Sequence, residues 1–234
     1  PDVAMKDSGV EWLGEVPAHW DVAKLLRYVH IAEGQVDPRG YPFNQMPLVA
    51  PNHIESGTGK LLGLETAEEQ GAESGKYLCR KGDVIYSKIR PTLRKAWLTN
   101  QDCLCSADMY ALRPEKGLQN RYLFWMILSE SFSRLTALES ERVAMPKINR
   151  ESLNEIFLTI PPEEEQRAIS NYIGSAIKNH DELEKVANKA IDLLRERRSA
   201  LISAAVTGKI DVRDWEPPVS ETFPQSTTSE EAPA

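Results

Sequence analysis

The chain has 234 residues, 28 Lys and Arg against 35 Asp and Glu, a formal net charge of −7 and 41% hydrophobic side chains. That suffices for one domain of about 150 residues with an ordinary core, plus an additional element. The acidic balance argues against a generic nucleic-acid coat, the longest purely apolar run (residues 122–128) is too short to span a membrane, and three cysteines without paired spacing fit a reducing cytoplasm better than a disulfide framework.

Taken in chain order, the first 160 residues read as α+β, with a small mixed sheet and short helices. Short strands are expected at Leu48-Val49, 84–89, 96–98 and 109–112, each bounded by Gly, Pro or Asn turns. Asn120 is the expected cap of a helix over 121–129, with Tyr122, Trp125, Met126 and Ser129 on one face. Asn149 caps a shorter helix, with Glu151 in its first turn. Ile156, Leu158 and Ile160 then alternate as in a half-buried strand.

Near Pro161-Pro162 the apolar period changes. Pro162 suits a first helical position, and Glu163, Glu164 and Glu165 sit where a helix dipole favours acids. From there Ile169, Ile173, Ala176, His180, Leu183, Ala187, Ala190, Leu194, Arg197, Leu201 and Ala204 follow one another at steps of four and three. That is the 3.5-residue period of a left-handed coiled coil. Tyr172, Ile177, Val186, Ile191, Ile202 and Ala205 widen the stripe, and Thr207-Gly208 supplies the stop. At 1.5 Å per residue the rod is roughly 65–70 Å long, so it needs another helix to cover it. Within it His180 reads as a packed or partly solvated position, and Arg195, Arg197 and Arg198 as partners of neighbouring acids. Trp215 is expected to anchor the end. The division is therefore 1–160, a helix over 161–210, and an extension over 211–234 that is disordered from about Pro217, where Pro, Ser, Thr and Glu dominate.

Several chemistries lack their residues. Glu55-Ser56-Gly57-Thr58-Gly59-Lys60 resembles a phosphate loop, but Ile54 stands where the first Gly belongs and Leu61 where Ser or Thr belongs. A glycine-rich turn is the better reading. No lysine has Asp or Glu two residues before it, so the nuclease acid-x-Lys step is missing. The four histidines are scattered, Cys103-x-Cys105 lacks a second ligand pair, and Thr159-Ile160-Pro161-Pro162-Glu163 lacks the Asn and aromatic of a methyltransferase step. No catalytic or metal-ligating residue is nominated.

One local signal is strong. Residues 76–95 hold Lys76, Arg80, Lys81, Lys88, Arg90, Arg94 and Lys95 against the single acid Asp83. As a strand, this segment puts Val84, Tyr86, Lys88 and Arg90 on one face and Ile85, Ser87 and Ile89 on the other. A turn at Pro91 then presents Arg90, Arg94 and Lys95 together. Such groups suit phosphate binding, or a solvated edge that protects a strand from aggregation. A second basic surface runs from Arg142 through Lys147 and Asn149 to Arg150.

A set of segments in fixed order resembles the specificity subunit of type I restriction-modification enzymes over nearly all of residues 5–215. They are Lys6-Asp7-Ser8-Gly9-Val10-Glu11-Trp12-Leu13-Gly14 with Pro17 and Trp20; Gly82-Asp83 through Lys95; Cys105-Ser106-Ala107-Asp108 with Leu112-Arg113-Pro114; and Met145-Pro146-Lys147-Ile148-Asn149. They continue with Ile160-Pro161-Pro162, Glu165-Gln166-Arg167 and Leu201-Ile202-Ser203-Ala204-Ala205-Val206-Thr207-Gly208-Lys209-Ile210. The resemblance implies a non-catalytic target recognition domain followed by a spacer helix, reading one half of a bipartite site in double-stranded DNA. The implied contacts are Lys60, Lys88, Arg90, Arg94, Lys95, Arg142, Lys147 and Asn149, with base readout in loops over 44–60 or 137–147. Ile169, Ile173, Ala176, Leu183, Ala187, Ala190, Leu194 and Leu201 would pair with a second helix, from a second copy or a tandem half. Modification subunits would dock along it, and restriction subunits indirectly, bringing S-adenosylmethionine, ATP and Mg that this chain does not itself bind. Only one unit is present, and Pro1-Asp2-Val3-Ala4 before Met5 resembles a junction after a first spacer helix. Either the second half of a longer subunit or a natural half-subunit fits. The rival is a coiled-coil assembly protein whose basic strand never meets DNA.

Overall fold

The structure, a computed structural model, describes residues 3–140 and 147–216. Arg142, half of the loop over 137–147 and the tail from Pro217 therefore lie outside the described residues. Contacts divide the chain into a unit that ends at Ala176 and a second that begins at Ile177.

The elements follow as β1 (Met5–Asp7), β2 (Glu15–Pro17), β3 (Asp21–Lys24), β4 (Val29–Ile31), β5 (Gln35–Val36), β6 (Leu48–Val49), β7 (Lys76–Cys79) and β8 (Val84–Ser87). Then come β9 (Ala96–Leu98), β10 (Cys103–Cys105), β11 (Met109–Pro114), α1 (Asn120–Leu128), α2 (Glu130–Ser140), α3 (Arg150–Glu155), β12 (Phe157–Ile160) and α4 (Glu163–Val206). The fold is α+β, but its strands form several small sheets rather than one. An antiparallel sheet runs β4-β11-β8-β9, and a mixed sheet runs β5-β7-β10-β6 with β10 and β6 parallel. Two-stranded ribbons pair β1 with β2 and β12 with β3. Strands of two to four residues such as β5, β7 and β10 carry too little alternation to declare themselves in sequence.

All four residues of β8 are buried because both its faces are covered. Val84 and Tyr86 join a cluster with Leu112, Leu123, Ile127, Leu153 and Leu158. Ile85 turns the other way, to Cys79, Cys103, Cys105 and Met109, and the three buried thiols are unpaired. β12 is likewise buried on both sides rather than half-buried, since Leu158, Thr159 and Ile160 are all enclosed against β3 and α1.

Two caps differ from expectation. Asn120 is the first residue of α1, and Gln119 precedes it as cap with its backbone N–H donated to Gln166 Oε1 at 2.8 Å. The buried face of α1 is Tyr122, Leu123, Phe124, Ile127 and Leu128, with Trp125 and Met126 only half-buried, because a glycine loop packs on it from outside the sheet. Asn149 does cap α3, accepting from the Ser152 N–H at 2.7 Å.

The spacing of four and three is realised as one uninterrupted 44-residue helix, α4. Pro162 is its cap rather than its first residue: the Pro162 carbonyl accepts from Gln166 N–H at 3.0 Å. Glu165 accepts from Trp20 Nε1 at 2.8 Å and lies 2.7 Å from His19 Nε2. Gln166 is 1% exposed and bonds Gly117 O, Pro161 O and Gln119 N–H together. Ile169, expected to pair with a second helix, packs instead against the core of its own unit, because the first turns of α4 are seated by Gln166 and Ser170. In the second unit Leu183, Val186, Leu194, Leu201, Ile202 and Val206 are exposed, as are Ala187, Ala190 and His180. Arg195 pairs with Asp192 at 3.4 Å, whereas Arg197 and Arg198 have no ion pair among the described residues. Gly208 stops the helix with φ +71°: its N–H bonds Ala205 O and the Lys209 N–H bonds Ala204 O. That double bond past a left-handed glycine is a Schellman ending. Trp215, expected to anchor the end, is 67% exposed among the described residues.

Candidate nucleic-acid interface

The basic run over 76–95 does not form one edge, because the fold spends its members differently. Lys76 is buried, with its ammonium on Ser74 O and Oγ. Arg80 and Lys81 border an open groove beside Arg113 and the start of α1. Asp83, 2% exposed, takes a two-pronged contact from Arg113 at 2.9 and 2.7 Å and a third bond from Arg80 N–H. Charge-assisted bonds of this kind hold a carboxylate in the interior.

β8 stops at Ser87, two residues before the strand was expected to end, so Lys88 and Arg90 do not share a strand face. Ser87 Oγ donates to Ile89 O at 2.9 Å, closing the strand end locally. The Lys88 N–H bonds Asp108 O, and its carbonyl accepts from Ile148 N–H at 2.9 Å. Ile89 and Lys147 form a bridge, so Lys88 lies opposite Ile148 and one step from Lys147, near enough for the two charges to be felt by one another. The Lys88 ammonium stands 5.3 Å from the centroid of the Tyr110 ring, whose hydroxyl donates to Ile148 O. Partial burial, and then the charge of Lys147, push the Lys88 amine below its ordinary value. A lowered amine beside a second amine is a site that gains from an anion.

Arg90 and Arg94 flank the turn Pro91–Leu93, and both are left-handed, with φ of 48° and 47°. Non-glycine residues rarely adopt this conformation, and their hold here comes from the turn between them. Arg90 is exposed. The carbonyl of Arg94 accepts from Gly57 N–H at 3.2 Å, and its guanidinium lies over Gly57. A Cβ at Gly59 would stand 2.3 Å from Phe124 Cζ, so the glycines of the loop over 55–60 are there for close approach to Arg94 and α1. The loop is closed by Glu55 N–H on Lys60 O, and Lys60 is exposed at its end.

Two groups of the expected contacts thus come together: Lys88 with Lys147, and Arg94 with the loop that carries Lys60. Two others have different work. Lys95 Nζ donates to Pro51 O at 2.7 Å, in the turn that leads into that loop, and the Asn149 side chain is occupied in capping α3. Tyr110 and the Asp83–Arg113 pair were not foreseen; their partners lie 30 or more residues away in sequence, where spacing gives no signal. Among the described residues no group of three or more His, Cys, Asp or Glu could hold a metal ion, and no helix is long and apolar enough to cross a membrane.

With this geometry in place, the model of the type I restriction modification DNA specificity domain matches residues 36–193. The chain belongs to the type I restriction-modification specificity family. It is 34% identical over 198 residues to the type I restriction enzyme EcoDI specificity subunit of Escherichia coli, covering 85% of this chain and 44% of that protein. It is 22% identical over 208 residues to the putative type I restriction enzyme MjaX specificity subunit of Methanocaldococcus jannaschii, covering 83% and 47%. The chain therefore spans about half the length of the curated relatives it matches. The HsdS subunit from Thermoanaerobacter tengcongensis shares the fold, with a TM-score of 0.54 at 20% identity over 78% of this chain and 42% of that one. A chain of a solved type I R-M system does so with a TM-score of 0.61 at 20% identity, covering 81% and 46%. Specificity subunits are the non-catalytic components of these complexes.

Proposed function

We propose that this chain is a DNA-reading unit of a type I restriction-modification system, contacting one half of a bipartite duplex site and carrying no catalysis of its own. The observation that bears most weight is that Lys88 and Lys147 lie on adjoining bridged segments within reach of one another's charge, next to the left-handed turn bearing Arg90 and Arg94. Fixed like charges on a shallow surface are stabilised by a phosphate between them. In this reading phosphate contacts set register and the loop carrying Lys60 reads base edges. Modification subunits supply S-adenosylmethionine, restriction subunits join through them with ATP and Mg, and the exposed seam of α4 pairs antiparallel with a second copy or a tandem half, in the cytoplasm.

The test is a salt titration of duplex binding by the assembled complex. Lys88→Ala with Arg90→Ala and Arg94→Ala weakens binding and lowers the slope of log affinity against log salt by about 0.9 for each phosphate that is no longer neutralised. An unchanged slope in a folded variant removes these residues from the interface. It would favour the rival reading, an assembly helix without DNA contact, to which the exposed Leu183, Leu194 and Leu201 lend their support.

A further inference from the structure

Arg150 lies at the first position of α3, two residues beyond Ile148, whose N–H is bonded to Lys88 O. The same backbone link, Ile148 on Lys88 and Lys147 on Ile89, therefore brings a third cation to the patch, close enough for its charge to bear on both Lys88 and the Tyr110 hydroxyl. The anions nearby are Asp108, whose charge is felt at Lys88, Glu115, which lines the same groove as Arg150, and Glu33, which makes an ion pair with Arg150. Among the described residues Glu33 is the one carboxylate in ion-pair contact with the three cations. Both members of that pair are well exposed, at 42% and 66% of their side-chain surface, and they border an open groove with Arg27, His30 and Lys116. An ion pair so exposed is weak, and a doubly contacted phosphate outbids a lone carboxylate for a guanidinium.

We infer that Arg150 is a further phosphate ligand of the DNA interface and that Glu33 is its stand-in anion, surrendering the guanidinium when duplex DNA binds. The inference rests on the DNA-reading function proposed above. Glu33 thus sets a threshold: it keeps the three-cation patch from holding arbitrary anions and lowers affinity for duplex by the strength of one surface ion pair.

The experiment is a double-mutant cycle on the assembled complex, with fluorescent random-sequence duplex DNA as the probe, titrated with salt. Glu33→Gln is expected to tighten binding about three-fold, the equivalent of a weak surface pair. Arg150→Ala weakens binding and lowers the salt slope by about 0.9. In the Arg150→Ala background Glu33→Gln then has no effect. Equal tightening in both backgrounds would show only a change of net charge, and an unchanged slope in Arg150→Ala would take the guanidinium off the phosphate; either overturns the inference. Failure of the underlying reading is seen separately, as an unchanged slope in the Lys88, Arg90 and Arg94 variant. Both substituted side chains are exposed, and thermal unfolding checks that each variant is folded.

Discussion

Gln166 shows how much one side chain can settle. Its amide bonds three backbone groups from Gly117, Gln119 and Pro161, and it is enclosed. Gln166→Ala leaves these groups without partners, and urea unfolding should show a loss of about 1–3 kcal/mol. The Asp83–Arg113 pair is the other internal tie. Arg113→Ala strands an enclosed carboxylate and should destabilise by about 3 kcal/mol; replacing Asp83 by Asn in the same protein should recover part of that loss, because no uncompensated charge is then left inside. Both residues fall within segments that carry the family resemblance, yet neither role was readable there. A glutamine amide on a helix and an acid 30 residues from its arginine give no periodic signal, and only the folded chain brings them to their partners.

At the scale of elements, the loop over 55–60 and the base of α4 depend on close approach. Gly59 has φ +73° and stands against Phe124 and Leu128. Gly59→Ala should cost about 1–3 kcal/mol and, by lifting the loop off Arg94, weaken duplex binding in the same salt titration. The glycine pattern was legible as a turn, but the helix it packs on was not, since Phe124 lies 65 positions away. At the base of α4, hydrogen bonds from Trp20 and then His19 hold the Glu165 carboxyl below its ordinary range. A folded-state value below the unfolded one adds stability at pH above the unfolded value, and that gain is lost as pH falls through the folded value. Glu165→Gln should accordingly flatten the acid side of a stability-against-pH curve and leave its neutral-to-alkaline shape unchanged, as thermal melts across pH would record.

For the whole molecule the decisive feature is α4, whose large apolar side chains past Ala176 are exposed among the described residues. Exposed leucines at a 3.5-residue period bury their surface by meeting a second helix. Leu183→Asp with Leu194→Asp should leave the chain monomeric in sedimentation at concentrations where the parent self-associates, with the first unit still folded by circular dichroism. Parent and variant sedimenting alike would show that the seam does not pair two copies. The helix was the most legible element of all: eleven positions at steps of four and three are a long-range pattern that no local competitor mimics.

The sequence alone determined the α+β character, the long helix with its acidic start and glycine stop, the absence of recognisable catalytic motifs and the concentration of positive charge before Lys95. These are properties of period and composition, and they survive whatever the chain touches. Tertiary structure alone decided what these side chains meet: Lys95 became a strut on Pro51, Lys76 an enclosed donor, Ile169 a half-buried residue packed against the core, and Lys88 a neighbour of the Lys147 charge. The reason is that a charge is defined along the chain but its partner is defined across the sheet, where register, not spacing, sets who meets whom.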